Sequence, residues 1–520
     1  MYRQSFLEKQ PGGISHVIKA SDYVPGTYRA RAPFFRSTRF KDFFYALFSF
    51  IRALLIKITE SVVGVTLYVE NKQREHPVIH PRILNLLERL RTRGIIHAWY
   101  KMPLNPGLPP IISYNMGVNT IVMPSGRQFS FQGGAGSGVG ATSDEALTRA
   151  IAEALERYSL SVWQPQDITL ASFEELRFFG AVDPKMFAFF SEKQLMQDRF
   201  VKNRISRHDR IGWVRARSLA RKKNCFVPAQ LVYLSYNTEF EEEVSFLHTT
   251  TNGAAAAATL EEAACRAICE AIERDAFLIF WLNKISPPHI DQSSVRIPAA
   301  RKIIDDIVRY GLELRLLDMT TDMGIPTIAA VVVDYRGEIA VSVSVATDFS
   351  PEQCLLKVLG EATKLMHSPV DKKILQAAEN KYPQIESMEE RRALWSSPHM
   401  TPHLGFLFES KKRKTLDSMR DTIPVSVLAP TFAHGRLKFL RDTLNRKKYD
   451  CYLVDVTSTP AREEGLYVVR AIVPQLMPIY FVEGKKYLGV ERLYAAPVAM
   501  GYREVPLKEE ELNPIPHPFI

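Results

Sequence analysis

The sequence predicts a mixed α/β protein, an α+β fold in which helices pack around an extended mixed sheet. Short β-branched and aromatic segments, typical of strands, alternate with long stretches that carry apolar residues at helical spacing. This alternation favours layers of helix and sheet over an all-helical or all-β architecture. With 520 residues, of which 46% are hydrophobic and 24% charged, the chain can bury at least one large core.

The chain is predicted to have two parts, an N-terminal extension of residues 1–75 and a main domain of residues 76–520 that ends in a proline-rich tail. The extension carries one strongly apolar stretch, residues 43–58, interrupted by Arg52 and Lys57. This falls short of the roughly 20 clean apolar residues that a membrane span requires. We therefore expect an amphipathic helix that docks on the protein or on a partner, and no membrane contact is expected. The first residues also lack the apolar core of a signal peptide, so export is not expected.

Charge and cysteine content narrow the function class. The formal charge of +10 suits a phosphate-bearing ligand, an anionic surface or nucleic acid. The basic residues are scattered, however, and the short clusters at residues 221–223 and 411–414 lack interleaved aromatic residues, so nucleic-acid binding is not expected. Five cysteines without a CxxC pair fit a reducing, cytoplasmic location. Cys265 and Cys269, four residues apart with no histidine at zinc spacing, are interpreted as core residues.

Five segments are predicted as strands from their β-branched and aromatic content. They are residues 111–114, 120–123, 226–236, 327–333 and 339–345. At the end of the chain, PIPHPFI carries proline at every second position. This favours an extended, polyproline-like conformation over helix or strand.

An internal repeat is the most informative feature of the sequence. TSDEALTRAIAEALER begins at Thr142 and TLEEAACRAICEAIER begins at Thr259, so the copies lie 117 residues apart. Both place Glu at positions +3, +11 and +14 and Arg at positions +7 and +15 from the threonine. Each copy opens with a Thr-x-x-Glu capping box, which predicts the N-terminus of a helix.

Both predicted helices have an apolar stripe for the core and a charged face opposite it. The stripes are Leu147, Ala150, Ile151, Ala154, Leu155 and Tyr158 in the first helix, and Ala263, Ala264, Ala267, Ile268, Ala271 and Ile272 in the second. The charged faces carry Glu153, Glu156 and Arg157 in the first helix, and Glu270, Glu273 and Arg274 in the second.

The charged faces have two interpretations. Acidic and basic residues at steps of four from Glu145 to Arg157 could form a solvated salt-bridge ladder. The duplication, and the Gly/Ala-rich run ahead of each helix, favour a binding site instead, because small residues permit close backbone approach and a helix N-terminus attracts anions. Four carboxylates and two arginines could then surround a phosphate chain with Mg²⁺, which suits a nucleotide. The common nucleotide motifs, the P-loop and the strand-GxGxxG-helix unit, do not occur in the sequence.

At these residues the sequence resembles the YcaO family, whose ATP site is built from paired ExxER helices. The resemblance covers about residues 80–520. AIAEALERYS at residues 150–159 is similar to the first ATP motif, and residues 250–283 are similar to the second, including the trailing Asp275 and Trp281. VPAQLVYLSYN at residues 227–237 and the segment 455–478 are also similar to family sequences.

The resemblance implies an ATP site and a catalytic tail. The implied ATP-binding residues are Glu153, Glu156, Arg157, Asn252, Glu262, Glu270, Glu273, Arg274 and Arg470. Glu153, Glu156, Glu270 and Glu273 are implied to hold Mg²⁺. The ending Pro514, Pro516, Pro518 and Ile520 resembles the PxPxP terminus of azoline-forming members, in which the C-terminus reaches the active site. A catalytic role is implied for these residues, with the Ile520 carboxylate as a proton acceptor.

The implied activity is an ATP-dependent cyclodehydration. A Cys, Ser or Thr side chain of a ribosomal precursor peptide attacks the preceding backbone carbonyl, and the oxygen of the resulting hemiorthoamide accepts the γ-phosphoryl group of ATP. Loss of phosphate leaves a thiazoline or oxazoline, and Arg157, Arg274 and Arg470 are expected to stabilise charge on the transferring group. The resemblance also implies a separate ThiF-like or leader-peptide-binding partner protein, and it leaves a homodimer open.

The chain departs from the family pattern at four positions. Arg149, Arg266 and Val139 stand where many members have Ser, Gln and Lys, and Lys364 replaces a Gln three positions after Glu361. Two alternatives therefore stay open. The same activation could serve another nucleophile and give a thioamide or amidine, which the tail argues against. The chain could also be a non-catalytic peptide-binding scaffold, which retention of all four ExxER glutamates argues against.

Overall fold

The computed structural model describes residues 79–131, 135–197, 199–200, 204–236, 240, 242–247, 250–337, 339–428 and 433–520. The predicted N-terminal extension, with its amphipathic helix at residues 43–58, lies outside the described residues. The division of the chain at residue 76 therefore stays a prediction. Within the described ranges, the helices are too short or too polar to cross a membrane.

Helices account for much of the described chain. Those of eight or more residues are α1 (Pro81–Thr92), α2 (Ser143–Ser159), α3 (Leu260–Leu282), α4 (Pro298–Arg309), α5 (Pro351–Met366), α6 (Lys372–Lys381), α7 (Met388–Ser396), α8 (Ala433–Arg446) and α9 (Arg492–Ala499). Shorter α-helical segments lie at Phe173–Leu176, Glu192–Leu195, Leu416–Arg420, Val425–Leu428 and Thr459–Glu463. The longest 3₁₀ segment is Pro398–Phe408 among the residues described.

The strands are distributed over several sheets. In chain order they are β1 (Ile96–Lys101), β2 (Ile112–Val118), β3 (Ile121–Val122), β4 (Gln128–Phe129), β5 (Gly136–Gly140), β6 (Thr169–Ala171), β7 (Ile211–Ser218), β8 (Asn224–Pro228), β9 (Ala254–Ala257), β10 (His289–Ile290), β11 (Glu313–Asp318), β12 (Thr327–Val333), β13 (Val341–Thr347), β14 (Arg413–Lys414), β15 (Tyr452–Asp455) and β16 (Tyr467–Ile472).

Three sheets supply the framework of the described chain. A three-stranded sheet has the order β1-β2-β5, a five-stranded sheet the order β13-β12-β11-β10-β14, and a six-stranded sheet the path β6-β7-β15-β16-β9, with β8 paired to β7. Neighbours are antiparallel apart from the parallel pair of β10 and β14. A small hairpin of β3 and β4 lies beside them. The predicted mixed α/β class is confirmed, with the strands divided among several sheets instead of one extended sheet.

The strand predictions differ in accuracy. β12 has the predicted bounds, β13 is shifted by two residues, and β2 and β3 overlap their predicted segments. The prediction for residues 226–236 is wrong beyond Pro228, where β8 ends and the 3₁₀ turn Ala229–Leu231 begins. Proline has no N–H to continue a ladder, which explains the stop. The final residues, 512–520, form neither helix nor strand, as predicted.

The predicted starts of the two repeat helices are confirmed. The hydroxyl oxygens of Thr142 and Thr259 accept hydrogen bonds from the backbone N–H groups of Glu145 and Glu262, both at 3.2 Å. The reciprocal half of the capping box is absent at Thr142, because the Glu145 carboxylate accepts from the N–H of Ala141 instead, at 2.8 Å. The Glu262 carboxylate pairs with Arg266. Each helix start is therefore capped by its own threonine.

The Gly/Ala runs ahead of the two helices are strands, β5 and β9, and not anion-binding turns. A Cβ on Gly138 would lie 2.1 Å from the carbonyl oxygen of Ala146 and 2.5 Å from the nitrogen of Ala150. Only glycine lets β5 approach the backbone of α2 this closely. The four alanines of β9 are all buried. The small residues therefore serve helix–strand packing, which corrects the expectation of a phosphate site at the helix N-termini.

The two repeat helices are buried to different extents. In α2 the predicted stripe is buried except for Tyr158, which is half-buried. In α3 the whole stripe is buried, and the second half of the helix is enclosed on nearly all sides, including Phe277, Phe280 and Trp281. Because α3 runs through the core, its charged face cannot be a solvated ladder.

We expect Gly138→Ala to destabilise the protein, because the added methyl group meets backbone atoms of α2 that cannot rotate away. Overpacking of this kind costs about 1–3 kcal/mol. Urea unfolding followed by circular dichroism measures the change. Gly405→Ala is the matched control, since a Cβ there meets nothing within 4 Å. An equal decrease in the free energy of unfolding in the two variants would contradict the proposed role of Gly138 in packing.

Candidate functional site

The two ExxER segments, residues 153–157 and 270–274, come together at one place, joined by α5 and β16. Five acidic side chains meet there, and they are called the carboxylate cluster below: Glu153, Glu156, Glu270, Glu273 and Glu361. The basic side chains around them are Arg157, Arg274, Lys357, Lys364 and Arg470. Both copies of the repeat therefore contribute to a single site.

Glu153 is held on both carboxylate oxygens. Oε1 pairs with Arg157 at 2.5 Å, and Oε2 accepts hydrogen bonds from the N–H and hydroxyl of Ser137 on β5, at 2.7 and 3.1 Å. Burial works to raise the pKa of Glu153, but the charges of Arg157 and Lys364 and the Ser137 hydrogen bonds outweigh it. The pKa of this carboxyl therefore lies below its ordinary value, and Glu153 is ionised.

Glu156 and Glu270 repel each other. Burial, together with the charges of Glu270 and Glu153, raises the pKa of Glu156 well above its ordinary range. Burial likewise raises the pKa of Glu270 to about 7, against the opposing charge of Arg274. The carboxylate of Glu156 is oriented by the N–H of Ala256 on β9, at 3.1 Å. Two carboxyl groups held this way gain stability from a proton or a divalent cation.

Glu273 is the most deeply buried member of the carboxylate cluster. Its Oε2 accepts from the N–H of Thr347 at the end of β13 and from Nζ of Lys357 on α5, both at 3.2 Å. Arg274 approaches Glu273 and Glu270 only loosely, at 3.8 and 3.7 Å. The second repeat thus has a weaker internal ion pair than the first.

Arg470 and Asn252 present unpaired polar atoms in the interior. Arg470 on β16 donates through Nε to the carbonyl of Leu231 at 3.0 Å, while its Nη1 is buried without a partner. Burial lowers the pKa of Arg470 to about 10, although Glu270 and Glu156 oppose this shift. Asn252 has a buried Oδ1 without a partner, and both residues line a cavity of about 40 Å³. Buried donors and acceptors left unpaired favour a polar ligand.

The C-terminal tail reaches Arg274. The guanidinium of Arg274 lies 4.2 Å from the centre of the Phe519 ring, and its Nε and Nη1 are buried without hydrogen-bond partners. Phe519 packs edge-on against Phe277 of α3, with ring centres 4.9 Å apart. The position of Arg274 is therefore fixed by a cation–π contact with Phe519, since its ion pairs with Glu270 and Glu273 are long.

Hydrogen bonds to its backbone anchor the tail in the core. Indole N–H groups of Trp281 and Trp395 donate to the carbonyls of Ile515 and Pro516, at 3.0 and 3.1 Å, and Arg391 donates to the carbonyl of His517 at 3.0 Å. Pro516, Pro518 and Phe519 are buried, Ile520 is half-buried and Pro514 is exposed. The end of the predicted extended tail is therefore packed into the core.

Glu262 lies apart from the carboxylate cluster. It stands in the first turn of α3, eight residues before Glu270, which is about 12 Å along a helix. Its carboxylate pairs with Arg266 at the surface, just as Glu145 pairs with Arg149 at 2.6 Å. Its implied role in ATP binding stays a prediction.

Sequence reasoning missed Lys357 and Ser137 and did not assign a role to Lys364. Lys357, Glu361 and Lys364 lie at spacings of four and three on α5, a helix whose other face is buried. A charged stripe of that spacing is a usable signal for one shared surface. Ser137 gave no such signal, because its role depends on β5 packing beside α2.

Two larger cavities lie away from the predicted residues. One of about 870 Å³ is lined by residues such as Asn119, Trp163 and Asp455, and one of about 710 Å³ by residues such as Arg215 and Arg441. None of the predicted site residues lines either cavity. The buried charges, and not cavity size, locate the candidate site.

The described residues fit a nucleotide with a divalent cation. Unpaired guanidinium N–H groups of Arg274 and Arg470 suit phosphate oxygens, and the mutually repelling carboxylates Glu156 and Glu270 suit Mg²⁺. In the described ranges no three His, Cys, Asp or Glu side chains are grouped to hold a metal ion, since the carboxylates turn toward neighbouring cations and N–H groups. Metal binding would therefore require these side chains to reorient.

Residues 137–477 match a protein-family model described as YcaO cyclodehydratase, ATP- and Mg²⁺-binding. This range is more than half of the chain and contains both repeat helices. An uncharacterised protein of Methanothermobacter thermautotrophicus is 28% identical over 348 residues, which cover 65% of this chain and 81% of that protein. An uncharacterised protein from the tfuA 3′ region of Rhizobium leguminosarum bv. trifolii is 30% identical over 207 residues, covering 38% of this chain and 44% of its own.

Several solved structures have a similar fold. A heterocyclase in complex with substrate and cofactor has a TM-score of 0.67 at 22% identity, with 84% of this chain and 57% of that chain covered. The YcaO protein of Methanopyrus kandleri, bound with AMPPCP and Mg²⁺, has a TM-score of 0.52 at 18% identity, with 82% and 95% covered. The chain thus spans little more than half the length of the heterocyclase.

We expect the stability of the ligand-free protein to fall as pH rises through the titration of Glu270. The folded pKa of about 7 lies above the unfolded value of 4.5, so folding binds a proton between these pH values and this stabilisation is lost above pH 7. Glu270→Gln cannot ionise. The free energy of unfolding of this variant should therefore exceed that of the wild type by about 1–3 kcal/mol at pH 8, and the difference should be small at pH 5.

Chemical unfolding at pH 5, 6, 7 and 8 without metal measures this difference. Glu145→Gln, at the exposed start of α2, is the matched control. A stability difference between wild type and Glu270→Gln that stays constant across the pH range would contradict the assignment of a half-buried carboxyl with a raised pKa at this position.

Proposed function

The chain belongs to the YcaO family, and on that premise we propose that it is an ATP-dependent cyclodehydratase that converts Cys, Ser or Thr of a precursor peptide into thiazoline or oxazoline. The observation that carries this proposal is the meeting of both ExxER segments with Arg470 and the C-terminal tail at one buried site. The family itself is ATP- and Mg²⁺-binding.

The reaction requires a poor leaving group to be made a good one. The substrate's thiol or hydroxyl adds to the preceding amide carbonyl and loses its proton, giving a hemiorthoamide that keeps the former carbonyl oxygen. That oxygen bonds to the γ-phosphorus of ATP while the bond to the β-phosphate oxygen breaks and ADP leaves. Expulsion of phosphate, with loss of the amide proton, then forms the C=N bond of the azoline ring.

The arginines of the site are assigned to the phosphates. Arg470 and Arg274 have buried, unpaired N–H groups whose positions are set by the Leu231 carbonyl and the Phe519 ring. Preorganised donors of this kind stabilise charge without reorganising during the reaction. Arg157 is pre-positioned by Glu153. Asn252, beside Arg470, is assigned to nucleotide contact through its unpaired Oδ1.

The carboxylates are assigned to the divalent cation. Mg²⁺ held by Glu153, Glu156, Glu270 and Glu273 would neutralise charge on the phosphate oxygens of ATP. Glu156 and Glu270 are held close by α2 and α3 despite their repulsion. The two helices therefore bring the carboxylates into one cluster, and their side chains would reorient to bind the cation.

The tail residues Pro514, Pro516, Pro518 and Ile520 are assigned to the substrate side of the site. Anchoring of the tail to Trp281, Trp395 and Arg391 fixes Phe519 on Arg274. The nucleotide site and the tail are thus connected through one side chain. The same connection weighs against a scaffold whose ATP site has decayed, because the buried arginines and carboxylates are all retained.

A separate partner protein is proposed to present the peptide. The chain covers 57% of the heterocyclase that was solved with substrate and cofactor. The proposal follows from the family resemblance, in which a leader-peptide-binding or ThiF-like protein binds the precursor peptide.

Glu153→Ala and Glu270→Ala should each abolish phosphate release and ring formation, by at least about 100-fold, because each removes a charge that the phosphoryl-transfer site requires. The assay combines the purified protein with Mg-ATP, a Cys-rich precursor peptide and a ThiF-like partner. Phosphate release and the loss of one water per ring are measured together, the latter by mass spectrometry.

Glu145→Ala, in the exposed ion pair of the same helix, is the matched control and should keep activity near the wild-type level. Phosphate release without a change in peptide mass would favour a different nucleophile. If the wild-type protein gives neither phosphate release nor loss of water from the peptide, the proposed activity is overturned.

Phe519→Leu should weaken nucleotide binding about fivefold, because it removes the ring that holds Arg274 while keeping an apolar side chain in the core. The loss corresponds to a cation–π contact of about 1 kcal/mol. Calorimetric titration with a non-hydrolysable ATP analogue measures the Kd. Phe178→Leu is the matched control, since Phe178 lies under Arg177 at 4.6 Å on the surface. An unchanged Kd for Phe519→Leu would separate the tail from nucleotide binding.

A further inference from the structure

Lys364 brings a fixed positive charge into one end of the carboxylate cluster. Its Nζ pairs with the carboxylate of Glu361 one turn earlier on α5 and donates to the hydroxyl of Ser137 at 3.0 Å. The Ser137 hydroxyl in turn donates to Oε2 of Glu153. One ammonium group therefore connects the acidic side chains of α5 and α2 through a hydroxyl on β5.

This end of the cluster is electrostatically satisfied by protein groups. Oε1 of Glu153 pairs with Arg157, Oε2 receives two hydrogen bonds from Ser137, and Glu361 pairs with Lys364. The Lys364 side chain is only 13% exposed, so solvent screens its charge weakly. Both carboxylate oxygens of Glu153 and one of Glu361 therefore already have partners.

The middle of the cluster differs. Glu156 and Glu270 oppose one another, and Arg274 approaches Glu270 only to 3.7 Å. Lys357 belongs to the same helix face as Lys364, but its side chain is 54% exposed and contacts Glu273 rather than this pair. The Glu153 end thus has the close ion pairs of Arg157 and Lys364, whereas Glu270 has only the longer ion pair with Arg274.

We propose that the ammonium group of Lys364 takes the place of one divalent cation between Glu153 and Glu361, so that Glu153 can share only a cation bound on its Glu156 side. A buried ammonium beside the same oxygens repels a second cation and occupies the ligands it would use. The inference rests on the proposed nucleotide site, and it means that this site binds one divalent ion fewer than it would with a neutral residue at position 364.

The test counts divalent ions directly. Mn²⁺ is titrated into protein saturated with a non-hydrolysable ATP analogue, and the free Mn²⁺ signal in electron paramagnetic resonance gives the number bound per chain. Lys364→Gln, which keeps a hydrogen-bond donor but removes the charge, should bind one Mn²⁺ more than the wild type. Lys364→Arg, which keeps the charge, should match the wild type.

Lys373→Gln, at an exposed position of α6, is the matched control and should leave the count unchanged. Thermal unfolding verifies that each variant is folded, and Lys364→Met provides a second neutral variant if Lys364→Gln does not fold. Equal Mn²⁺ counts in the wild type and the neutral variants, with the analogue bound in both, would overturn the inference alone. Absence of analogue binding in the wild type would overturn the proposed function together with it.

Discussion

The repulsion between the half-buried carboxylates of Glu156 and Glu270 is the interaction on which the rest of this site depends. Glu156 and Glu270 come from helices more than a hundred residues apart in sequence, and each raises the cost of ionising the other. Such an arrangement persists only where surrounding charges and hydrogen bonds are fixed by the fold. Arg470 on β16 is buried near this pair, and the loss of solvent around its guanidinium lowers its pKa. A cation bound between these carboxylates would therefore reduce their repulsion.

Close backbone packing and a buried ion pair make that arrangement rigid. β5 can lie against α2 only because Gly138 has no side chain, and this contact delivers Ser137 to Glu153. On the other repeat, Asp275 follows Arg274 and is fully buried, where it pairs with Arg492 at 2.8 Å and accepts the N–H of Met477. Asp275 therefore fixes the rotation of α3 and, with it, the direction of the adjacent charged face.

The tail adds a second constraint on the same helix. Arg391 is fully buried, pairs with Glu483 at 2.7 Å and holds the carbonyl of His517. Burial and the charge of Arg391 keep the pKa of His517 well below its ordinary value, so the imidazole is neutral in the core. A neutral His517 accommodates the neighbouring arginine. The end of the sequence is thus part of the core. Displacing it would remove the contact of Phe519 with Arg274.

The sequence by itself determined the mixed fold class, the starts of both repeat helices and the identity of the four ExxER glutamates, because capping and periodicity are local properties of the chain. Only the tertiary structure decided which of these charges meet. Glu262 obeys the same repeat template as Glu270 yet lies at the surface, since position along a helix relative to the core is not encoded in the repeat. Lys357 and Lys364 enter the site from α5, and Phe519 reaches Arg274 from the far end of the chain, through long-range packing that no local pattern contains. The small-residue runs likewise fit either a phosphate loop or a closely packed strand, and only the position of the neighbouring helix distinguishes the two.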